Sequence, residues 1–148
     1  MLSIVVPALD EAPNLERLLP DLVARCPQEE VIVVDGGSAD ASAEVVRRFP
    51  SVRFIAGPRG RARQMNAGAR VAQGDALLFL HADTVLPEGA TSAITRAIAD
   101  PSVVGGRFDV RFTSSRWPFR MIAALMNRRS RWSGTSRARA RPRPATRT

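Results

Sequence analysis

The sequence predicts an α/β domain, a mostly parallel sheet with helices on both faces. Short Val/Ile/Leu-rich runs alternate with stretches of helical periodicity from Leu2 to about Ile98, the pattern of repeated βα units. The run Ala76-Leu77-Leu78-Phe79-Leu80 is apolar throughout and follows Gly74-Asp75, as expected of an inner parallel strand covered on both faces. Carboxylates follow the strands, where such a sheet binds ligands: Asp10 and Glu11 after the first, Asp35 after the second, Asp83 after the fourth.

The elements follow in order. Leu2 to Val6 reads as the first strand, stopped by Pro7. Leu15, Leu18, Leu19, Leu22 and Val23 share one helical face, with Pro20 expected to kink that helix. Glu30 to Val34 is the second strand, entering a turn at Asp35-Gly36-Gly37-Ser38. A helix then runs to about Phe49, capped by Ser38 or Asp40. Val52 to Ala56 is the third strand, followed by Gly57-Pro58-Arg59-Gly60 and a helix-like stretch from Arg61 to Ala72. Pro87 suits a first helical turn, opening a helix with Ala90, Ala93, Ile94, Ala97 and Ile98 on one face. Strict alternation in Arg107-Phe108-Asp109-Val110-Arg111-Phe112 predicts a half-exposed, antiparallel strand. The apolar stretch Trp117 to Met126, flanked by Arg116, Arg128 and Arg129, reads either as a helix at a membrane surface or as a core helix on the sheet.

At 148 residues the chain fits one domain, and its 45% hydrophobic content is ample for a core. Cys26 is the only thiol, so a disulfide framework and a zinc cluster are excluded, which suits a cytoplasmic protein. No stretch approaches the eighteen or so apolar residues of a membrane span, and the start lacks the basic region of a signal peptide. The net charge of +8 belongs to the tail: residues 1–127 hold fourteen Arg and fourteen acids, and the last 21 residues hold eight Arg and no acid. That tail has no apolar periodicity, so the reading is a domain over 1–131 and a disordered Arg/Pro-rich tail over 132–148. Such a tail binds nucleic acid or anionic lipid by charge alone, or it is a GC-rich gene read out of frame. The second reading fits the absence of Lys, and nucleic acid is not the expected partner.

His81 and Asp83 stand one residue apart behind the fourth strand. Asp83 is either a helix cap or turn residue or a ligand to a hard cation. Mg2+ or Mn2+ held by one or two carboxylates plus substrate phosphates is the usual arrangement around a nucleoside diphosphate, and Arg59, Arg61 and Arg63 beside the third strand suit that diphosphate. The dinucleotide fingerprint, the P-loop and the nucleophile elbow are all absent.

Four segments resemble family-2 glycosyltransferases: Ile4-Val5-Val6-Pro7-Ala8-Leu9-Asp10-Glu11, Val31-Ile32-Val33-Val34-Asp35-Gly36-Gly37-Ser38-Ala39-Asp40, Gly60-Arg61-Ala62-Arg63-Gln64-Met65-Asn66-Ala67-Gly68 and Leu80-His81-Ala82-Asp83-Thr84. They occur in the family's order over about residues 2–130 and are most similar to a bacterial glycosyl transferase 2-like subgroup, some of whose members glucosylate carotenoid acids. The resemblance implies a GT-A fold, here incomplete at the C-terminus. It implies nucleotide-sugar binding by Pro7, Asp10, Glu11, Asp35, Arg61, Asn66 and Asp83, with the metal on Asp83 and His81. His81 departs from the usual first Asp of the metal motif, and a role off the metal is equally open for it. The implied reaction moves a sugar from a nucleoside diphosphate to an acceptor hydroxyl or carboxylate, of lipid or carotenoid type, with inversion at the anomeric carbon. The implied location is the cytoplasm, with peripheral contact at the inner face of the cell membrane.

The catalytic base is the gap. In the family it lies in an acidic motif on the acceptor side, whereas the last acid here is Asp109. The chain therefore reads as the donor-binding part of a transferase truncated by a frame change near Trp132, with impaired turnover. Two other readings stand beside it: a non-catalytic nucleotide-sugar or nucleic-acid binding protein, and a sugar-phosphate nucleotidyltransferase. The latter needs a Gly-rich loop that Pro7 to Asn14 does not supply.

Overall fold

The computed structural model describes residues 1–108. Four parallel strands form its sheet: β1 (Leu2–Ala8), β2 (Glu30–Asp35), β3 (Val52–Ala56) and β4 (Ala76–Phe79), in the order β3-β2-β1-β4. Four helices connect or follow them: α1 (Ala12–Arg25), α2 (Ser42–Arg47), α3 (Arg61–Val71) and α4 (Ala90–Ile98). The described residues fall into two units, Met1–Ala93 and the residues from Ile94 onward. All but the first two residues of the strand expected over Arg107–Phe112, the Trp117–Met126 segment and the 131/132 boundary lie outside the described residues.

The strand order dictates which face each helix covers. The crossovers β1-α1-β2 and β2-α2-β3 step in one direction, while β3-α3-β4 returns across the sheet. Right-handed crossovers therefore put α1 and α2 on one face and α3 on the other. The packing agrees. Val5, Ile32 and Val34 lie under Ala67, Val71 and Ala72 of the α3 segment. On the opposite face Ile4, Val6, Val31 and Val33 are buried, as are Leu15, Leu18, Leu19 and Leu22 of α1 and Val45 and Val46 of α2. Each such side chain contributes about 1.5–3 kcal/mol of transfer free energy, so this double-sided apolar layer is the main stabilising term.

Pro7 does not stop the first strand, because strand geometry gives its missing N–H a harmless place. The Val5 carbonyl accepts from Leu80 N–H at 3.0 Å, and the Ala8 carbonyl accepts from Gly36 N–H at 2.9 Å. Alternation then turns Pro7 toward β4, whose pairing with β1 ends at Val5↔Phe79, while pairing with β2 continues through Pro7↔Val34 to Ala8↔Asp35. Pro20 lies inside an unbroken α1 with its ring exposed.

Two expectations need correction. β4 is not covered on both faces, since Leu77 and Phe79 are 41% and 44% exposed, and among the described residues only β1 pairs with it. They share the face of Val5, but α3 lies over β1 and β2 and leaves that flank open. α4 begins at Ala90, three residues past Pro87, and of its apolar face only Ala90 is buried. Periodicity identifies an apolar face without saying what covers it. In the second unit the last turn of α4 leads to a loop in which Asp100 accepts hydrogen bonds from Ser102 N–H and Oγ at 2.8 and 2.7 Å.

The amino edge of the sheet is closed by carboxylates with full sets of donors. Glu30 accepts from Ser3 Oγ and from Gln73 N–H at 2.8 Å, with Arg53 at 3.5 Å. Glu29 accepts from Leu2 N–H at 2.9 Å. Burial alone would raise the Glu30 carboxyl pKa, but Gln73, Ser3 and Arg53 outweigh it and hold the group below the ordinary glutamate range.

A depressed folded-state pKa stabilises above the unfolded value, about 4.3, and that stability fades as pH falls through the folded value. Glu30→Gln is therefore expected to lower the melting temperature at pH 7, and to narrow its gap from the parent as pH drops below about 4. A gap independent of pH in thermal melts would refute this. Gly68→Ala tests the helix-sheet spacing, since a Cβ there would sit 2.4 Å from Val5 Cγ1 and 3.0 Å from Val34 Cγ2. The expected loss is about 1–3 kcal/mol, read as a drop of several degrees; an unchanged melt would contradict the close contact.

Candidate functional site at the carboxyl edge

Strand order reverses at β1, with β2 and β3 on one side and β4 on the other, so the carboxyl ends of β1 and β4 flank a topological switch point, where open α/β sheets bind ligands. The last residue of β2, Asp35, and the loops leaving β1 and β4 bring Asp10, Glu11, Asp35, His81 and Asp83 to that edge.

The first two loops are locked together. Three consecutive N–H groups follow the end of β1, and side chains of the β2–α2 loop and of the first residue of α2 meet them all. Asp10 N–H donates to Ser38 Oγ at 2.9 Å, Glu11 N–H to Ser42 Oγ at 3.0 Å, and Ala12 N–H to Asp40 Oδ2 at 2.9 Å. Asp10 answers by accepting from Ala39 N–H at 2.7 Å. Its φ of 56° is left-handed, a conformation Asp tolerates better than most residues. Asp35 accepts from Gly37 and Ser38 N–H groups and from Ser38 Oγ, the turn geometry expected of a short carboxylate. Ser38 thus bonds both Asp10 and Asp35 and brings them together.

Ser38 does not cap α2, and the residue before that helix, Ala41, has no side-chain cap. Asp40 serves two helix starts: its Oδ1 accepts from Ser42 N–H at the head of α2 at 3.0 Å, and its Oδ2 from the first N–H of α1. Glu11 is the residue before α1; its carbonyl accepts from Asn14 and Leu15 N–H groups at 3.0 and 2.9 Å, and its carboxylate from Asn14 Nδ2.

Behind β4 the chain turns, with Thr84 N–H donating to the His81 carbonyl at 3.0 Å. His81 is half-buried, Ala82 buried and Asp83 exposed. Thr84 Oγ1 donates to Asp83 Oδ1 at 3.3 Å. Among the described residues no three His, Cys, Asp or Glu side chains converge as a ready-made metal site. That donor set suits a cation drawing most of its ligands from substrate phosphate and water.

Arg61 opens α3 and is exposed, as are Arg59 and Arg63. Asn66 is exposed too, about 200° around the helix from Gln64, so it is not gathered with the strand-end carboxylates. Pro7 is buried in β1. Sequence reasoning overlooked Gln64, which is 3% exposed and donates through Nε2 to the Ala8 carbonyl at 2.6 Å and the Val34 carbonyl at 2.9 Å. Its signal was its place four residues before Gly68, on the same helical face.

A family model described as glycosyl transferase family 2 matches residues 3–146. The chain belongs to this family. The match continues past the residues on which the sequence motifs fall, and membership sets the nucleotidyltransferase alternative aside. Among its relatives is a PGL/p-HBAD biosynthesis glycosyltransferase of Mycobacterium bovis, 37% identical over 129 residues, covering 79% of this chain and 50% of that protein. An undecaprenyl-phosphate 4-deoxy-4-formamido-L-arabinose transferase of Pseudomonas paraeruginosa is 30% identical over 142 residues, covering 86% and 42%. The chain thus spans about half the length of the curated relatives it matches. Of solved structures, the mannosyltransferase PcManGT of Pyrobaculum calidifontis, in complex with GDP-Man and Mn2+, superposes with a TM-score of 0.60 at 30% identity, covering 69% of this chain and 33% of that one.

Asp40 links the two loops, so removing its acceptor atoms should cost stability without touching the apolar core. Its carboxyl lies below the usual aspartate range, held there by the Ser42 hydroxyl first and by the Ala12 and Ser42 N–H groups. Asp40→Ala is expected to lose about 0.5–2 kcal/mol, as for loss of a helix cap, and Asp40→Asn distinctly less. An Asp40→Ala variant as stable as the parent in urea unfolding would show that the hydrogen bonds are immaterial.

Proposed function

We propose that the carboxyl edge of this sheet is the donor half of a glycosyl-transfer site, holding a nucleoside diphosphate sugar. The observation that carries the reading is the joining of Asp10 and Asp35 through Ser38 beside the β1/β4 switch point, in a chain of this family. Asp10, Glu11 and Asp35 offer carboxylate acceptors to the nucleoside, while Pro7 holds the end of β1. Arg61 on α3 presents a guanidinium suited to diphosphate. The bound GDP-Man of the 30%-identical mannosyltransferase supports a nucleotide-sugar donor.

Asp83, with His81 beside it, would hold Mg2+ or Mn2+, and the Mn2+ of that same relative supports this. When bound, the ion offsets the charge gathering on the departing diphosphate. The reaction is attack by an acceptor oxygen on the anomeric carbon; the bond from that carbon to the diphosphate breaks, and the acceptor proton passes to a base. The undecaprenyl-phosphate transferase among the relatives supports a lipid-linked acceptor met at a membrane surface. Among the described residues no helix is long and apolar enough to cross a membrane.

Calorimetry of the chain with GDP and with UDP, with and without Mn2+, tests the donor reading. Metal-dependent binding is expected, weakened about tenfold or more by Asp83→Ala, the equivalent of losing about 1.4 kcal/mol of binding free energy. Equal affinity for parent and variant would end the metal role of Asp83.

A further inference from the structure

We propose that Gln64 is a positioning residue for the nucleotide site. Its side-chain amide, bonded to the carbonyls of Ala8 and Val34 at the carboxyl ends of β1 and β2, sets the spacing of the strand ends that carry Asp10 and Asp35. The inference rests on the reading that this edge holds a nucleotide, and deepens it by naming what holds the edge in shape.

The geometry is specific. The Gln64 amide nitrogen has two hydrogens and two acceptors, Ala8 O at 2.6 Å and Val34 O at 2.9 Å, on neighbouring strands. The Ala8 carbonyl already accepts from Gly36 N–H at 2.9 Å, so the amide uses its second lone pair. These carbonyls lie just before Asp10 and Asp35. The rest of this helix-sheet layer is apolar, built from Val5, Ile32, Val34, Ala67 and Val71. A buried amide there is tolerated only when its donors are matched, and packing alone would be served by Leu or Met of similar volume.

Gly36 completes the fit. A Cβ on it would lie 3.0 Å from Gln64 Nε2 and 3.1 Å from Cδ, so absence of a side chain at the β2 exit is what admits the amide. Gln64 N–H also donates to the Gly60 carbonyl at 2.9 Å, closing the first turn of α3. One side chain thereby relates the loop of Asp10, the loop of Asp35 and the helical turn of Arg61.

The test uses the full chain and two variants that disturb the contact from opposite sides, Gln64→Met and Gly36→Ala. Amide hydrogen exchange reports loop order without any ligand, and calorimetry with GDP or UDP plus Mn2+ reports the site. Exchange at residues 10–12 and 36–39 is expected to quicken about tenfold or more in Gln64→Met, ahead of any change at residues 3–6 and 31–33. Nucleotide affinity should fall by about tenfold or more, the scale of one lost buried hydrogen bond. Gly36→Ala should give the same pattern, and serves alone if Gln64→Met does not fold. Exchange that rises uniformly through the sheet, or loops that do not change, would overturn the proposal and leave Gln64 a packing residue. So would full affinity in both variants. A parent chain that binds neither nucleotide would sink the donor reading instead, and the exchange measurement would still decide whether Gln64 positions the loops.

Discussion

Three backbone donors in a row, those of Asp10, Glu11 and Ala12, leave the end of β1 and must find acceptors, and the carboxyl edge is organised around meeting that need. A helix start leaves its first N–H groups unmatched, and here the strand end and helix start are only a few residues apart. Ser38 and Asp40 of the β2–α2 loop and Ser42 at the head of α2 supply the acceptors. The consequence is tertiary: the β1 exit cannot shift without breaking bonds to the β2 exit. Asp10, in a left-handed conformation, closes the clasp from its own side through Ala39.

The two ends of the sheet use carboxylates in opposite ways. At the amino edge Glu29, Glu30 and Asp75 are engaged by Leu2 N–H, by Ser3, Gln73 and Arg53, and by the terminal ammonium. Those groups hold the structure together. At the carboxyl edge Asp83 is exposed beside a single weak hydroxyl contact. Asp10 takes its donor from Ala39 across the clasp and Asp35 from the turn that follows it, so both are oriented and remain near solvent. Chemistry that needs a charged acceptor is better served by the second arrangement, because an oriented carboxylate near the surface loses less hydration on meeting a ligand.

Close approach of α3 to the sheet binds these parts into one body. Gly68 lets the helix settle against Val5 and Val34, and at that distance Gln64 reaches two carbonyls and Arg53 reaches the Val71 carbonyl at 2.8 Å. A helix standing farther off would strand the amide in an apolar layer. The small residue and the polar one are therefore a single device, although they serve different ends of the contact.

By itself the sequence determined the alternation of strands and helices, the burial of Leu15, Leu18, Leu19 and Leu22, and the arrival of Asp10, Asp35 and Asp83 behind strands. Those are properties of period and local composition, which a chain carries without knowing its neighbours. Only the tertiary structure decided that Pro7 lies within β1, that β4 is left uncovered on one face, that Asp40 serves α1 as well as α2, and that Gln64 is buried. Each of those depends on which strand lies beside which. A missing N–H is harmless only where no partner faces it, an apolar face is covered only where a helix reaches, and a side-chain acceptor serves whichever donor the fold brings within about 3 Å.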